Sequence, residues 1–302
     1  MKNPLKSDFW YNFRRDPVAL VSGAFVLLLV LSAFLAPLIV AQDPYDGANF
    51  SILDELKPPV WQDEGDPRFL LGTDNQGRDM LAALLYGMRT SLLIGIGAVA
   101  LQSSLGVVLG LLAGYKGKKI DAFIMRVADV ELSFSSYMIA ILLGAIVQMA
   151  FGVANYEKIA LPFLIVVIGL AEWPQYARTV RASVLAEKGK EYVEAARVIG
   201  FSDRRIMFRH ILPNTLTPVL VISTVQVANA VMSEAALSFL GLGMPPTQPS
   251  LGSLIKYGFD YVLSGQWWIT FFPGLVLVVL ILSINLLGDW LRDYLNPKLY
   301  KG

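Results

Sequence analysis

Long uncharged blocks constrain this chain more than any other feature. Val18–Ala41, Thr90–Tyr115, Leu132–Tyr156 and Tyr261–Gly288 contain no Asp, Glu, Lys or Arg, and Ile211–Ser233 stays uncharged up to Glu234. A helix rises 1.5 Å per residue, so about 20 residues cross a hydrocarbon layer of roughly 30 Å. Each block meets that length, and a core helix of a water-soluble domain does not need it. A sixth block, Ile159–Ala171, has 13 residues before Glu172, with Pro162 near one end. Trp173 and Tyr176 extend it as interfacial anchors, so it is also predicted to span. The expected fold is therefore all-α and polytopic, with six transmembrane helices. Composition agrees: 55 % of the 302 residues are hydrophobic and 16 % charged, against roughly a quarter charged in a soluble domain.

The placement of charge predicts orientation. With six spans and a cytoplasmic N-terminus, the inner segments carry 19 Lys and Arg residues and the outer segments 6, namely Lys57, Arg68, Arg78, Arg89, Lys158 and Lys256. This excess predicts that both termini face the cytoplasm. The net charge of +1 names no partner, and no nucleic acid is expected. There is no cysteine, and His210 is the single histidine, so no metal cage of the usual ligands is expected. Ile39-Val40-Ala41 loosely resembles a signal-cleavage site, but the apolar run is too long for a signal peptide, so the first helix is expected to stay.

The chain divides accordingly. Residues 1–17, with Phe9, Trp10, Tyr11, Phe13, Arg14 and Arg15, read as an interfacial segment on the cytoplasmic leaflet. The first span is 18–41 and a periplasmic loop covers 42–89, where nine carboxylates and turn signals such as Pro58-Pro59 fall. A core of 90–288 follows, with a cytoplasmic loop at 177–213, and then a cytoplasmic tail over 289–302. Within the outer loop, Leu71 to Asp79 packs Gly72, Gly77 and three Asx residues into one tight span, which suits a folded cap.

The cytoplasmic loop is the most informative stretch. Glu191 to Ile199 are mostly helix formers, and Gly200 stands where a left-handed residue ends a helix. Ser202 or Asp203 can cap a second helix that runs through Arg205 and Arg209 to Pro213. The expected result is a helix-turn-helix elbow, with Gly200 at positive φ setting its angle. Ala195 and Ala196 give the first helix a low profile that a second protein could approach closely.

Glu194-Ala195-Ala196, Gly200 four residues on, and Leu212-Pro213 twelve residues after the glycine resemble the "EAA" signature of type I ABC importer permeases. His210 departs from it, standing where that family usually has isoleucine. Leu71-Gly72-Thr73-Asp74, Gly77-Arg78-Asp79, Leu237 to Gly243, Leu287-Gly288-Asp289 and Asn296-Pro297-Lys298 further resemble the "C"-type permease of dipeptide, oligopeptide, nickel and glutathione importers, across nearly the whole chain. The resemblance implies a type I importer fold, a homologous second permease, two ATPase subunits, a periplasmic substrate-binding protein and membrane lipid as partners. It implies that short peptides are the cargo, with nickel or glutathione as alternatives. It also implies that Glu191, Glu194, Ala195, Ala196, Gly200 and Asp203 form an ATPase-coupling helix.

No phosphate-binding loop of the form Gly-x4-Gly-Lys-Ser/Thr occurs, since Leu112 stands where the first glycine before Gly117-Lys118 would be. This chain is therefore expected to bind no cofactor and to catalyse nothing, the Mg-ATP being used by the ATPase subunits. An ion-driven transporter would favour several intramembrane charges and inverted repeats, and only Glu234 stands firmly inside a span. A membrane enzyme would need clustered His or carboxylates. Glu234 lies 16 residues beyond Pro218. It is expected to line the translocation path, because a carboxylate facing lipid costs about 2.5–3.5 kcal/mol.

Overall fold

The computed structural model describes residues 4–40, 42–48 and 50–295, whose regular elements are helices. In chain order these are α1 Pro4–Arg15, α2 Pro17–Phe34, α3 Ala36–Ile39, α4 Met80–Lys116, α5 Lys118–Leu132, α6 Ser136–Phe151, α7 Val153–Ala171, α8 Trp173–Lys188, α9 Glu191–Val198, α10 Asp203–Arg205, α11 Leu212–Phe239, α12 Leu251–Phe259 and α13 Trp268–Tyr294. A π-helical turn over Ile206–Ile211 joins α10 to α11. Four stretches are long and apolar enough to cross a membrane: α2, α4, Asp203–Phe239 and α13. Two bent pairs, α5 with α6 at 81° and α7 with α8 at 43°, raise the total to as many as six. Ala41, Lys2, Asn296-Pro297-Lys298 and Lys301 lie outside the described residues.

Several boundaries differ from expectation for local reasons. Asp79 accepts a hydrogen bond from the Leu81 amide and caps α4 there, so residues 80–89 of the expected outer loop are helical. Gly152, at φ 74°, ends α6 and opens α7, which splits the Leu132–Tyr156 block. The short sixth block thereby grows to the 19 residues of α7, taking in Glu157 and Lys158. The last block becomes helical only at Trp268 and continues to Tyr294, into the expected tail.

At the N-terminus, Asp16 caps α2 by accepting from the amides of Val18 and Ala19, with Pro17 at the first helical position. The helix expected over the first residues is present, but part of its aromatic face packs on protein. Phe9 meets Trp290 at 5.2 Å and Tyr294 at 5.3 Å between ring centroids, while Arg14 and Arg15 lie over the rings of Trp10 and Tyr11.

The longest helix, α4, organises the rest. Gly106, Gly110 and Gly114 repeat every four residues along one face, and α8 lies against it. A Cβ at Gly106 would stand 2.3 Å from the Cβ of Tyr176, and one at Gly110 would stand 2.5 Å from the Ala177 carbonyl oxygen. In lipid, small residues at this spacing let two backbones meet and replace the missing hydrophobic drive with close packing.

Residues 51–79 form a cap at the α4 N-terminal end of the bundle. Asp74 and Arg78, each 1 % exposed, pair at 2.6 Å, and Arg78 Nη1 donates to the Pro246 carbonyl at 2.8 Å. Trp268 Nε1 donates to the Thr73 carbonyl at 3.0 Å, which ties the cap to α13. Nearer the surface, Lys57 and Arg68 both contact Asp54 and Asp66. Arg68, then Lys57, hold Asp66 well below the usual carboxylate range, and Lys57 lowers the Asp54 carboxyl as well.

Candidate functional site

At the opposite end of α4 the chain forms the expected elbow. Val193 and Ala196, three residues apart on α9, are buried in a cluster with Tyr115, Val184 and Ile206. Glu191, Glu194, Ala195 and Arg197 face outward. The helix ends in a left-handed cap: Gly200 has φ 89°, its amide donates to the Arg197 carbonyl at 2.9 Å, and the Phe201 amide reaches back to Ala196 at 3.1 Å. Just before the turn, Val198 is 88 % and Ile199 69 % exposed. Two large aliphatic side chains thus stand in the open at the tip of a structured elbow.

The elbow is fastened to α4. Tyr115 Oη donates to Asp203 Oδ1 at 2.8 Å, Lys116 Nζ donates to Asp203 Oδ2 at 2.6 Å, and Lys188 Nζ donates to the Tyr115 carbonyl at 2.5 Å. Arg197 lies 5.8 Å from the centre of the Tyr115 ring. His210 stacks on Phe201 with centroids 5.6 Å apart, so its ring fills the apolar role that isoleucine has in the signature.

Two expected site residues are placed differently. Ala196 is 3 % exposed and packs inward, so it offers no surface to a second protein; the accessible alanine is Ala195. The three-residue spacing from Val193 puts Ala196 on the inner stripe of α9. Glu234 has no exposed surface, which rules it out as a lining residue of any path in this conformation. Ser91 Oγ donates to its Oε2 at 2.7 Å and Ser238 Oγ to its Oε1 at 2.6 Å. Ser91 Oγ also accepts from the Leu251 amide at 3.2 Å, at the start of α12. The carboxylate is a polar joint among α4, α11 and α12, and the serines satisfy it in place of water.

Sequence reasoning passed over Tyr115 and Lys116, and over Val198 and Ile199. The signal for the second pair was present: two aliphatics directly before a helix-ending glycine fall beyond the inward positions 193 and 196.

The comparisons with known proteins agree with this geometry. Residues 106–301 match the family profile described as binding-protein-dependent transport system inner membrane component, and residues 4–59 match the N-terminal transmembrane domain of oligopeptide transport permease C. The chain is 38 % identical over 297 residues to the di/tripeptide transport system permease protein DppC of Pseudomonas aeruginosa, covering 98 % of this chain and 93 % of that one. It is 40 % identical over 292 residues to the dipeptide transport system permease protein DppC of Escherichia coli, covering 97 % and 93 %. In fold it resembles a chain of the MetNI methionine ABC transporter in an inward-facing conformation, with TM-score 0.57 at 20 % identity over 72 % of this chain and 98 % of that one. This chain belongs to the family of inner-membrane components of binding-protein-dependent transport systems.

Proposed function

We propose that this chain is a permease subunit of an ATP-driven importer that carries short peptides from periplasm to cytoplasm. It would do so beside a homologous second permease, with two ATPase subunits on its cytoplasmic face and a periplasmic binding protein delivering the cargo. The relatives named for dipeptide and tripeptide transport support the substrate class. Both termini then lie in the cytoplasm, the cap of residues 51–79 in the periplasm and the elbow on the cytoplasmic side. The nucleotide and its magnesium are held by the ATPases.

The observation that carries the coupling role is the exposed pair Val198 and Ile199 on an elbow fixed by Asp203. Exposed aliphatics on a fixed tip suit a groove in a second protein. Glu191, Glu194 and Ala195 flank that tip, and Gly200 sets its direction. A push on the tip passes through Val193 and Ala196 into the packing around Tyr115 and Val184, and so into α4 and α8.

Changing both Val198 and Ile199 to Asp tests this directly. Losing two buried aliphatic contacts of about 1.5–3 kcal/mol each should weaken ATPase binding at least roughly a hundredfold. Copurification of the ATPases and dipeptide uptake by proteoliposomes are the measurements. Normal copurification with normal uptake would sink the coupling assignment.

A further inference from the structure

The two bent spans break at the same place in the bundle. The α5–α6 break follows Glu131 and Leu132, and the α7–α8 break falls at Glu172. Trp173 Nε1 donates to Glu131 Oε2 at 2.6 Å across the two breaks, and the two carboxylates lie within electrostatic reach of each other. The site is at the depth of the apolar spans: a Cβ on Gly106, inside the uncharged Thr90–Tyr115 block, would stand 2.8 Å from the Trp173 carbonyl oxygen. Irregular backbone at such depth occurs where it is buried in protein or lines a wet cavity, and broken helices mark cargo sites in transporters.

Among the described residues, neither carboxylate has a cationic partner. Gln175 Nε2 donates to Glu172 Oε2 at 2.6 Å. Gln226, 2 % exposed, turns its side-chain amide toward the Glu172 carboxylate. Its Oε1 accepts from Asn229, whose side chain is exposed, and Ser233 follows one turn later on α11. Glu172, Ser233 and Tyr137 line one open crevice of about 20 Å³, which holds a single water-sized group. An ammonium has that size. Its donors suit the Glu172 carboxylate, which has acceptor capacity beyond the neighbouring amides, and the two hydroxyls, which lie 3.4 Å apart.

We propose that Glu172, with Ser233 and Tyr137, is the membrane-depth subsite for the positively charged amino end of the transported peptide. This rests on the peptide-import assignment above. Gln226 and Asn229 are positioning residues that continue the polar stripe on α11. Negative charge left uncompensated at this depth is costly, and the passing ammonium offsets it.

The test uses the complete complex with its binding protein in proteoliposomes, reading dipeptide uptake and binding-protein-stimulated ATP hydrolysis together. Glu172→Gln keeps shape and loses charge, and should cut uptake about tenfold while stimulated hydrolysis persists, as expected for loss of one charge-assisted contact. Glu172→Asp keeps charge and should retain most uptake. Asn229→Lys, on the exposed face, adds a competing cation and should lower uptake like Glu172→Gln. Wild-type uptake in both Glu172→Gln and Asn229→Lys overturns the proposal. So does a loss in Glu172→Asp equal to or greater than that in Glu172→Gln, which would make Glu172 a matter of shape. If the wild-type complex hydrolyses ATP but imports no dipeptide, the peptide assignment itself fails and the subsite with it.

Discussion

The Tyr115 hydroxyl lies 2.8 Å from Asp203 and donates to it, joining the last turn of α4 to the start of the helix that leaves the elbow. These residues are 88 apart in sequence, and this bond ties the elbow to the span. Lys116 adds an exposed, solvent-screened ion pair to the same carboxylate.

The double variant Tyr115→Phe/Asp203→Ala should therefore assemble normally yet lose coupling. Peptide moved per ATP hydrolysed should fall severalfold while hydrolysis continues. An unchanged transport-to-hydrolysis ratio would show that the clamp is dispensable.

Gly200→Ala should cost about 1 kcal/mol through its left-handed φ alone, because no atom lies within 4 Å of the added Cβ. Gly200→Asn should cost less, since Asn tolerates that conformation. Thermal unfolding of the detergent-solubilised complex gives the order, and equal stability of the three proteins would refute it.

Much of this architecture was legible beforehand because lipid enforces it. Uncharged length located the four single-helix spans, and Gly200 announced its left-handed turn through its place after a run of helix formers. The failures arose where tertiary contact decides. Glu234 looked like a path residue because a carboxylate in a span must be compensated, but its compensation comes from Ser91, 143 residues away, as well as from nearby Ser238. Ala196 looked accessible because it is small, whereas its register with Val193 turns it inward. Glu172 served in the sequence only to end a block, since nothing local says that Glu131 and Gln226 converge on it.

Glu234→Gln should leave uptake and stability nearly unchanged, because the amide still offers one acceptor and one donor to the two serine hydroxyls. Glu234→Leu strands Ser91 and Ser238 at about 1–3 kcal/mol for each unsatisfied group. A markedly lower melting temperature for the leucine variant alone is the expected result. Similar melting for both would mean the joint carries no stability.

Gly110→Leu should abolish assembly, since overpacking costs about 1–3 kcal/mol or more and the backbone of Ala177 cannot yield. Gly274→Ala is the control, with no atom within 4 Å of the new Cβ. Gel filtration of the two variants separates them, and intact complexes from both would contradict the close α4–α8 contact.

The cap should resist acid. Folding depresses the Asp54 and Asp66 pKa values, so their contribution is complete above the unfolded value of about 4 and is lost as pH falls below it through the folded values. Lys57 is raised by Asp54 and then Asp66, and its share fails only above about pH 10. Amide protection factors over residues 54–74 should be high at about pH 5 and lower at about pH 2. Equal protection at both would show that these pairs do not hold the cap.

An unbroken helix of 37 residues rises about 55 Å, well beyond a hydrocarbon layer of roughly 30 Å. One end of α4 is anchored in the cap and the other in the elbow, without a joint between them. A strut of this kind has no independent ends: a tilt imposed by one partner is felt by the other. Reciprocity then sets the sign and size of the exchange. Under the proposed assignment, whatever factor nucleotide on the ATPases applies to binding-protein affinity, a docked binding protein must apply to the nucleotide affinity of the ATPases.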